Sequence, residues 1–424
     1  MTILARLSRS PDVGFGLFKE DEADWVFNRT LEFMVEKGAE IGECMYVARR
    51  IDQKNLDSWI NEWAELAARV EELARASLSE RHKVSARESF LRASNYYRTA
   101  EYGAPPYHHR FDELWEKSVQ CFHEVCKLFD PPINIIDVEF EGKKLPGYFW
   151  RPDISNKKRP TLIVAGGNDS SLEELVSFVG LAANRRGYNF FAFEHPGHRG
   201  AIHLYPDCIK RPDYEVPYKV AIDYLETLQG VDERIAMTGY SFGGYTTCRV
   251  AAFEKRIKAI APNPPIYHEP MLATHYQGIW TKIPDFLIEI ILKLTIPRSP
   301  LTFAFGEYTL WTFGVKKSIL EKGVWKEWLK LGSRGFTVRD DLHRITCPAL
   351  LLVGDREGER WNQQAKNFYN MISSKNKKLH VFNLEKDGSN DHCQLDNRSR
   401  GNQVLFDWLD EVFVYRYEKV KGIL

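Results

Sequence analysis

The chain has 424 residues, 44% of them hydrophobic and 27% charged, with 58 basic and 58 acidic side chains. That length exceeds one average domain, and that composition excludes a disordered chain. The balanced charge excludes an electrostatic footprint for nucleic acid or for an acidic membrane surface.

The N-terminal stretch MTILARLSRSPDVGF has no apolar run long enough for a signal peptide. Four segments follow with apolar residues at helical spacing: 24–36, 56–78, 85–102 and 111–129. Trp59, Trp63, Leu66 and Val70 form one such stripe, which predicts a packed bundle. Gly103-Ala104-Pro105-Pro106 interrupts the bundle and Pro131-Pro132 ends it. Residues 1–130 are therefore expected to form an N-terminal helical cap or lid domain, and 131–424 a catalytic domain. Seven scattered cysteines, Cys44, Cys121, Cys126, Cys208, Cys248, Cys347 and Cys393, contain no CxxC pair. They fit small buried thiols in a reducing compartment. Cys121 and Cys126 flank His123, but no second ligand pair follows, so no metal and no cofactor are expected.

Beyond Pro132 the pattern changes. Runs 133–140 and 145–150, joined by Glu141-Gly142, predict a hairpin. Short apolar runs at 161–165, 188–193, 234–238 and 257–261 then alternate with helical segments at 171–186, 218–228 and 243–253. Such alternation predicts an α/β fold, a mostly parallel sheet with helices on both faces. The alternation stops over 263–339, a helical insertion rich in aromatics: Tyr267, Trp280, Phe286, Phe303, Phe305, Trp311, Phe313, Trp325 and Trp328. These rings fit a packed core or the wall of a pocket for a flat substrate. The longest apolar stretch, 286–296, contains Glu289 and Lys293 and is shorter than the roughly 20 residues a membrane span needs. A soluble, cytoplasmic protein is expected. A strand at 347–354, a helix at 361–372, a strand at 379–384 and a helix at 401–414 complete the chain.

Thr238-Gly239-Tyr240-Ser241-Phe242-Gly243-Gly244 lies between a predicted strand and a predicted helix. That is the context of a G-x-S-x-G nucleophile elbow and points to the α/β-hydrolase fold. Ser241 is the expected nucleophile, projecting from a tight turn at a helix N-terminus that favours developing negative charge. It needs a base and an acid, which follow in chain order as acid, then histidine. His343 precedes the strand at 347–354 and His380 begins a strand, whereas His392 lies in the polar loop after the last strand. His392 is the expected base. The acid should follow Gly354, where Glu357 and Asp355 both stand, and the spacing favours Glu357 without excluding Asp355. Asp391 is a further candidate. For the oxyanion, the N–H of Phe242 is one expected donor, and Gly167 or Asn168 the other. Asp169 fits three roles: ordering that loop, contacting substrate, or capping a helix with Ser170 and Ser171. Two histidines in Glu194-His195-Pro196-Gly197-His198-Arg199-Gly200 fit a tight turn better than a metal site.

Taken together, Gly166-Gly167-Asn168-Asp169 with Glu173-Glu174, the Glu194-x-Pro-Gly turn, the elbow, and His392-Cys393-Gln394-Leu395-Asp396-Asn397 resemble one group of enzymes. Ser85-Ala86-Arg87 and Arg92-Ala93-Ser94-Asn95-Tyr96-Tyr97-Arg98 add to the likeness. The chain is similar to α/β-hydrolases with an N-terminal helical domain, a group that includes 2,6-dihydropseudooxynicotine hydrolase and polyketide-shortening hydrolases. His195 and His198 depart from it, since smaller or amide residues are common there. The resemblance implies cleavage of a carbon–carbon bond in a β-dicarbonyl or polyketide-like small molecule, and a homodimer; Arg87 and Tyr97, on one helix, fit either polar contacts to that substrate, as Asp169 does, or pinning of the helical domain to the sheet. Ordinary ester or amide hydrolysis uses the same residues. A non-catalytic binding protein on this fold would not need the intact Ser241 and His392.

Overall fold

A computed structural model of the chain describes residues 10, 12, 14–268, 283–295, 298–331 and 334–415. Five helices come first: α1 (Asp21–Glu32), α2 (Ile41–Ala48), α3 (Leu56–Ser79), α4 (Lys83–Tyr102) and α5 (Phe111–Leu128). The expected stripe is the reason α3 packs. Trp59, Trp63, Leu66 and Val70 are all buried, and the Trp63 ring lies 5.7 Å from that of Tyr96 on α4.

The hairpin of β1 (Asn134–Phe140) and β2 (Lys143–Trp150) turns through Glu141 and Gly142, both with positive φ. Two left-handed residues give a turn whose twist matches the strands it joins. The other strands are β3 (Arg159–Ala165), β4 (Asn189–Phe193), β5 (Val231–Tyr240), β6 (Ile257–Asn263), β7 (Ala349–Gly354) and β8 (Lys377–Phe382). They form one eight-stranded sheet in the order β1-β2-β4-β3-β5-β6-β7-β8. Only the β1–β2 and β2–β4 pairs are antiparallel. The parallel strands therefore present their carboxyl ends along one edge.

Helices cover both faces. The predicted helix at 171–186 is broken: a first turn, Leu172–Leu175, passes through a π-helical stretch, Val176–Gly180, into Leu181–Arg185, together α6. The Phe178 carbonyl in that stretch accepts from Asn402 Nδ2 at 3.1 Å. A short helix that the periodicity did not reveal, α7 (Arg199–Leu204), precedes α8 (Glu215–Leu225) and α9 (Gly243–Phe253). The insertion supplies α10 (Asp285–Thr295), α11 (Pro300–Thr312) and α12 (Val324–Lys330); α13 (Glu359–Met371) and α14 (Arg398–Val412) follow. Trp280 and the Trp328 side chain lie outside the described residues. No helix among the described residues is long and apolar enough to cross a membrane.

Alternate strand residues feed two cores. Leu162, Val164, Phe190, Ala192, Leu350 and Leu352 pack on the side shared with α1–α5. Ile163, Ala165, Phe191, Phe193, Ala349 and Leu351 face the other side. Phe27, Trp63 and Tyr96 lie in the same continuous core as Leu162 and Tyr148, so the helical region packs directly onto the sheet. W63A removes a fully buried indole from that shared core. It should cost about 3–5 kcal/mol of stability, read as a lower urea midpoint with an unchanged slope.

Candidate active site

Ser241 stands between the end of β5 and the start of α9 with φ 55°, in the left-handed region. Such a conformation costs about 1–3 kcal/mol in a non-glycine residue and persists only where its surroundings impose it. The glycines make the turn sterically feasible. A Cβ on Gly239 would collide with the Gly243 carbonyl, and one on Gly243 with the Ala165 carbonyl of β3. The Ser241 N–H donates to Asn263 O at 2.8 Å, and Gly244 N–H donates to Ser241 O at 2.8 Å. Ser241 is partly exposed between buried neighbours.

Past β7, the chain brings Glu357 and His392 together. His392 Nδ1 lies 3.1 Å from Glu357 Oε2, while Glu357 Oε1 accepts from Gly354 N–H at 2.9 Å. Glu357 is completely buried, so both carboxylate oxygens are held inside the protein. Burial alone would push the His392 imidazole down. The adjacent Cys393 sulfur and the Glu357 carboxylate outweigh it and hold the imidazole well above the ordinary histidine value. Asp355, the other candidate acid, is not at the imidazole. Its N–H continues the β7–β8 pairing to Phe382 O at 3.0 Å, and its exposed carboxylate accepts from Asn383 Nδ2 at 2.8 Å. Asp391 accepts from Ser10 N–H at 2.7 Å, and burial pushes its carboxyl up to about 6.

Asn263, at the end of β6, joins the two catalytic loops. Its carbonyl accepts from both Ser241 N–H and the Cys393 thiol (3.3 Å), and its Nδ2 donates to Gln394 Oε1 at 2.7 Å. Cys393 and Gln394 have positive φ, so the histidine loop is as constrained as the elbow. Asp396 gathers that loop, accepting from Ser389 Oγ, Asn390 N–H and Asp391 N–H at 2.6, 2.7 and 3.2 Å. Among the described residues no hydrogen bond joins Ser241 Oγ to the imidazole. Contacts of this kind are often long without substrate and tighten around it.

The two candidates in the oxyanion loop separate. Gly167 abuts Ser241, its Cβ position lying 3.0 Å from the serine Cβ, but its N–H donates to Ser170 Oγ at 2.8 Å. Asn168 has its side chain fixed instead. Nδ2 donates to Thr309 Oγ1 at 3.0 Å, and Oδ1 accepts from Lys210 Nζ. Phe242, directly after the nucleophile, is buried with its ring 5.6 Å from that of Phe336.

Three residues expected at the substrate each have a partner within the protein. Asp169 Oδ2 is paired with Arg29 Nη1 at 2.5 Å. Tyr97 donates to Glu71 Oε2 at 2.8 Å inside the helical bundle. Arg87 lies over the Phe129 ring at 4.8 Å. Helix capping near Asp169 falls to Ser171 and Glu174, which form a capping box. His198 Nδ1 pairs with Glu194 Oε2 at 2.5 Å, and no metal-holding cluster occurs among the described residues.

Sequence reasoning missed the buried ions that reach the site from α1. Arg29 binds Asp169 and, at 2.5 Å, Glu174. Burial pulls the guanidinium down, but these two carboxylates raise it well above its ordinary value. Glu32 pairs at 3.4 Å with Arg398, which donates to Cys393 O beside His392. Neither arginine carries a local sequence signal, because each partner lies far away in the chain. Asn263 carries a weak one, as a polar residue ending an apolar strand.

Residues 51–296 match the family model described as esterase FrsA-like. The α/β-hydrolase xenA of Xenoacremonium sinensis is 31% identical over 255 residues, covering 58% of this chain and 60% of that protein. Hydrolase ORFZ of Pyricularia oryzae is 28% identical over 432 residues, covering 93% of this chain and 97% of that protein. The crystal structure of 2,6-dihydroxy-pseudo-oxynicotine hydrolase superposes with a TM-score of 0.69 over 92% of this chain and 99% of that one, at 20% identity. That likeness shows the α/β-hydrolase fold.

The ionic junction makes its own prediction. R29M removes the cation shared by buried Asp169 and Glu174, leaving Glu174 the contact with Arg98 at 3.4 Å, and should cost about 3–5 kcal/mol. R29M/D169N, which removes the Arg29–Asp169 pair and keeps Glu174 for Arg98, should recover part of that loss in urea denaturation.

Proposed function

The chain belongs to the FrsA-like esterase family, and from that premise we propose that this α/β-hydrolase cleaves a carbon–carbon bond in a β-dicarbonyl or polyketide-like small molecule through Ser241, His392 and Glu357. The observation that carries the proposal is the buried Glu357–His392 pair, 3.1 Å apart, tied through Asn263 to a serine in the left-handed region. Glu357 fixes the imidazole tautomer, leaving Nε2 as the base.

His392 takes the Ser241 proton as Oγ adds to a ketone carbon. The N–H groups of Phe242 and Asn168 receive the oxyanion. Collapse breaks the bond to the carbon lying between two carbonyls. The electron pair leaves as an enolate, and the imidazolium returns the proton to that carbon. Water, deprotonated by His392, then attacks the acyl ester, releasing a carboxylic acid and restoring the Ser241 hydroxyl. The products are one acid and one ketone, with one water consumed.

Support for a carbon–carbon bond comes from the motif resemblance and from the rings packed on Phe242 and His392. The insertion contributes Phe313 and Phe336, and Trp361 lies 5.4 Å from His392. A second reading, hydrolysis of a carboxylic ester by the same residues, is favoured by the family's description as an esterase. Purified protein incubated with an aryl 1,3-diketone should release acid and methyl ketone in equal amounts. Fast turnover of nitrophenyl esters with the diketone untouched selects the ester reading.

Residue roles are tested separately. S241A should abolish turnover; activity above about a thousandth of wild type removes Ser241 from the mechanism. E357Q should lower kcat about 10³- to 10⁴-fold, whereas D355N should stay within about twofold of wild type. Because the base must be neutral, kcat/KM should rise with pH through a value above the usual histidine pKa of about 6.5. The Glu357 carboxylate stabilises the imidazolium, so E357Q should move that limb to lower pH. A limb that stays in place argues against this pairing.

A further inference from the structure

Lys210 lies between α7 and α8, and none of the sequence motifs includes it. Its side chain is nonetheless buried, at 6% exposure, and touches both residues read above as oxyanion donors. Nζ donates to Asn168 Oδ1 and lies 4.6 Å from the Phe242 ring centroid. The Phe313 ring from the insertion lies 4.8 Å from the same ammonium. An ammonium above aromatic faces is held electrostatically, and more strongly where water is excluded.

The backbone around Lys210 is equally constrained. Its N–H donates to Thr312 O at 2.9 Å, at the end of α11. Gly197, at φ 80° in the Pro-Gly turn, packs so closely on Lys210 that a Cβ there would overlap the lysine. Gly197 N–H also donates to Cys208 O at 2.7 Å, tying that turn to the segment leading into Lys210. The turn after β4, the insertion and the oxyanion loop thus meet at one cation.

We propose that Lys210 is a positioning residue of the oxyanion site: it fixes Asn168, and its charge, held between Phe242 and Phe313, favours the anion formed when Ser241 adds to a carbonyl. The physical reason is preorganisation. A cation oriented before the reaction, in a site from which water is excluded, needs no reorganisation as charge develops. The inference rests on the assignment of Ser241, Phe242 and Asn168 given above, and it holds for ketone and ester substrates alike, because both form an oxyanion.

The test uses full-length protein, a nitrophenyl ester or the diketone as substrate, and an aryl trifluoromethyl ketone as a mimic of the tetrahedral adduct. K210M should lower kcat about a hundredfold with KM changed less than about threefold, and should weaken the trifluoromethyl ketone by a similar factor. K210R, which keeps the charge, should recover about tenfold of the lost kcat. N168D places a carboxylate against the ammonium without altering Lys210, and should lower kcat at least about tenfold. It therefore carries the test if K210M does not fold. Wild-type kcat and inhibitor affinity in K210M or N168D, or no recovery in K210R, overturn the proposal. S241A distinguishes the two levels: loss of activity there with wild-type behaviour in K210M leaves the nucleophile standing and removes Lys210 alone.

Discussion

The structure depends on buried charge at the junction between α1 and the sheet. Arg29 holds Asp169, one residue beyond Asn168, and Glu174 at the start of α6. One turn further along α1, Glu32 pairs with Arg398, whose guanidinium donates to the Cys393 carbonyl beside His392. That guanidinium also lies 3.4 Å from the Phe178 ring centroid, in the π-helical stretch of α6. A buried ion set of this kind contributes little net stability, since desolvation opposes the attraction, but any single partner left alone is very costly. Its effect is specificity of placement: one helix sets the positions of both the oxyanion loop and the histidine loop.

Strain at the nucleophile depends on that frame. Ser241 and Cys393 both occupy left-handed backbone, and both donate to the carbonyl of Asn263. A shared acceptor couples the two loops, so neither relaxes without disturbing the other. The buried Glu357 completes the arrangement by bridging the end of β7 and the imidazole. Carboxylate, imidazole and serine thus come from three strand ends on the same edge of the sheet, each held by backbone hydrogen bonds as well as by side chains.

The insertion belongs to this frame as well. The Glu20 carboxylate accepts from Leu301 N–H and Thr302 N–H at 3.2 and 2.7 Å, which ties the entry to α1 to the first turn of α11. Thr309 on the same helix accepts from Asn168. One helix therefore links the N-terminal region to the oxyanion loop, while its C-terminal end carries Phe313 to Lys210. The insertion and the N-terminal region are thus joined through one helix to the loop that carries Asn168.

Local chemistry made much of this legible in the amino-acid order. The stripe on α3, the hairpin turn at Glu141-Gly142, the alternation of strands and helices, and the elbow around Ser241 follow from periodicity and sterics acting over a few residues. His392 and Glu357 were within reach because chain order and spacing confine them to two loops. The choice between Glu357 and Asp355 was not, since it depends on which side chain turns inward after β7. Nor were the positions of Asp169, Tyr97 and Arg87, whose partners Arg29, Glu71 and Phe129 stand 140, 26 and 42 residues away. By itself the sequence determined the fold class, the tight turn that carries Ser241 and the loops that hold Glu357 and His392. Only the tertiary structure decided which charges meet, because pairing of buried ions depends on long-range packing and leaves no periodic trace along the chain.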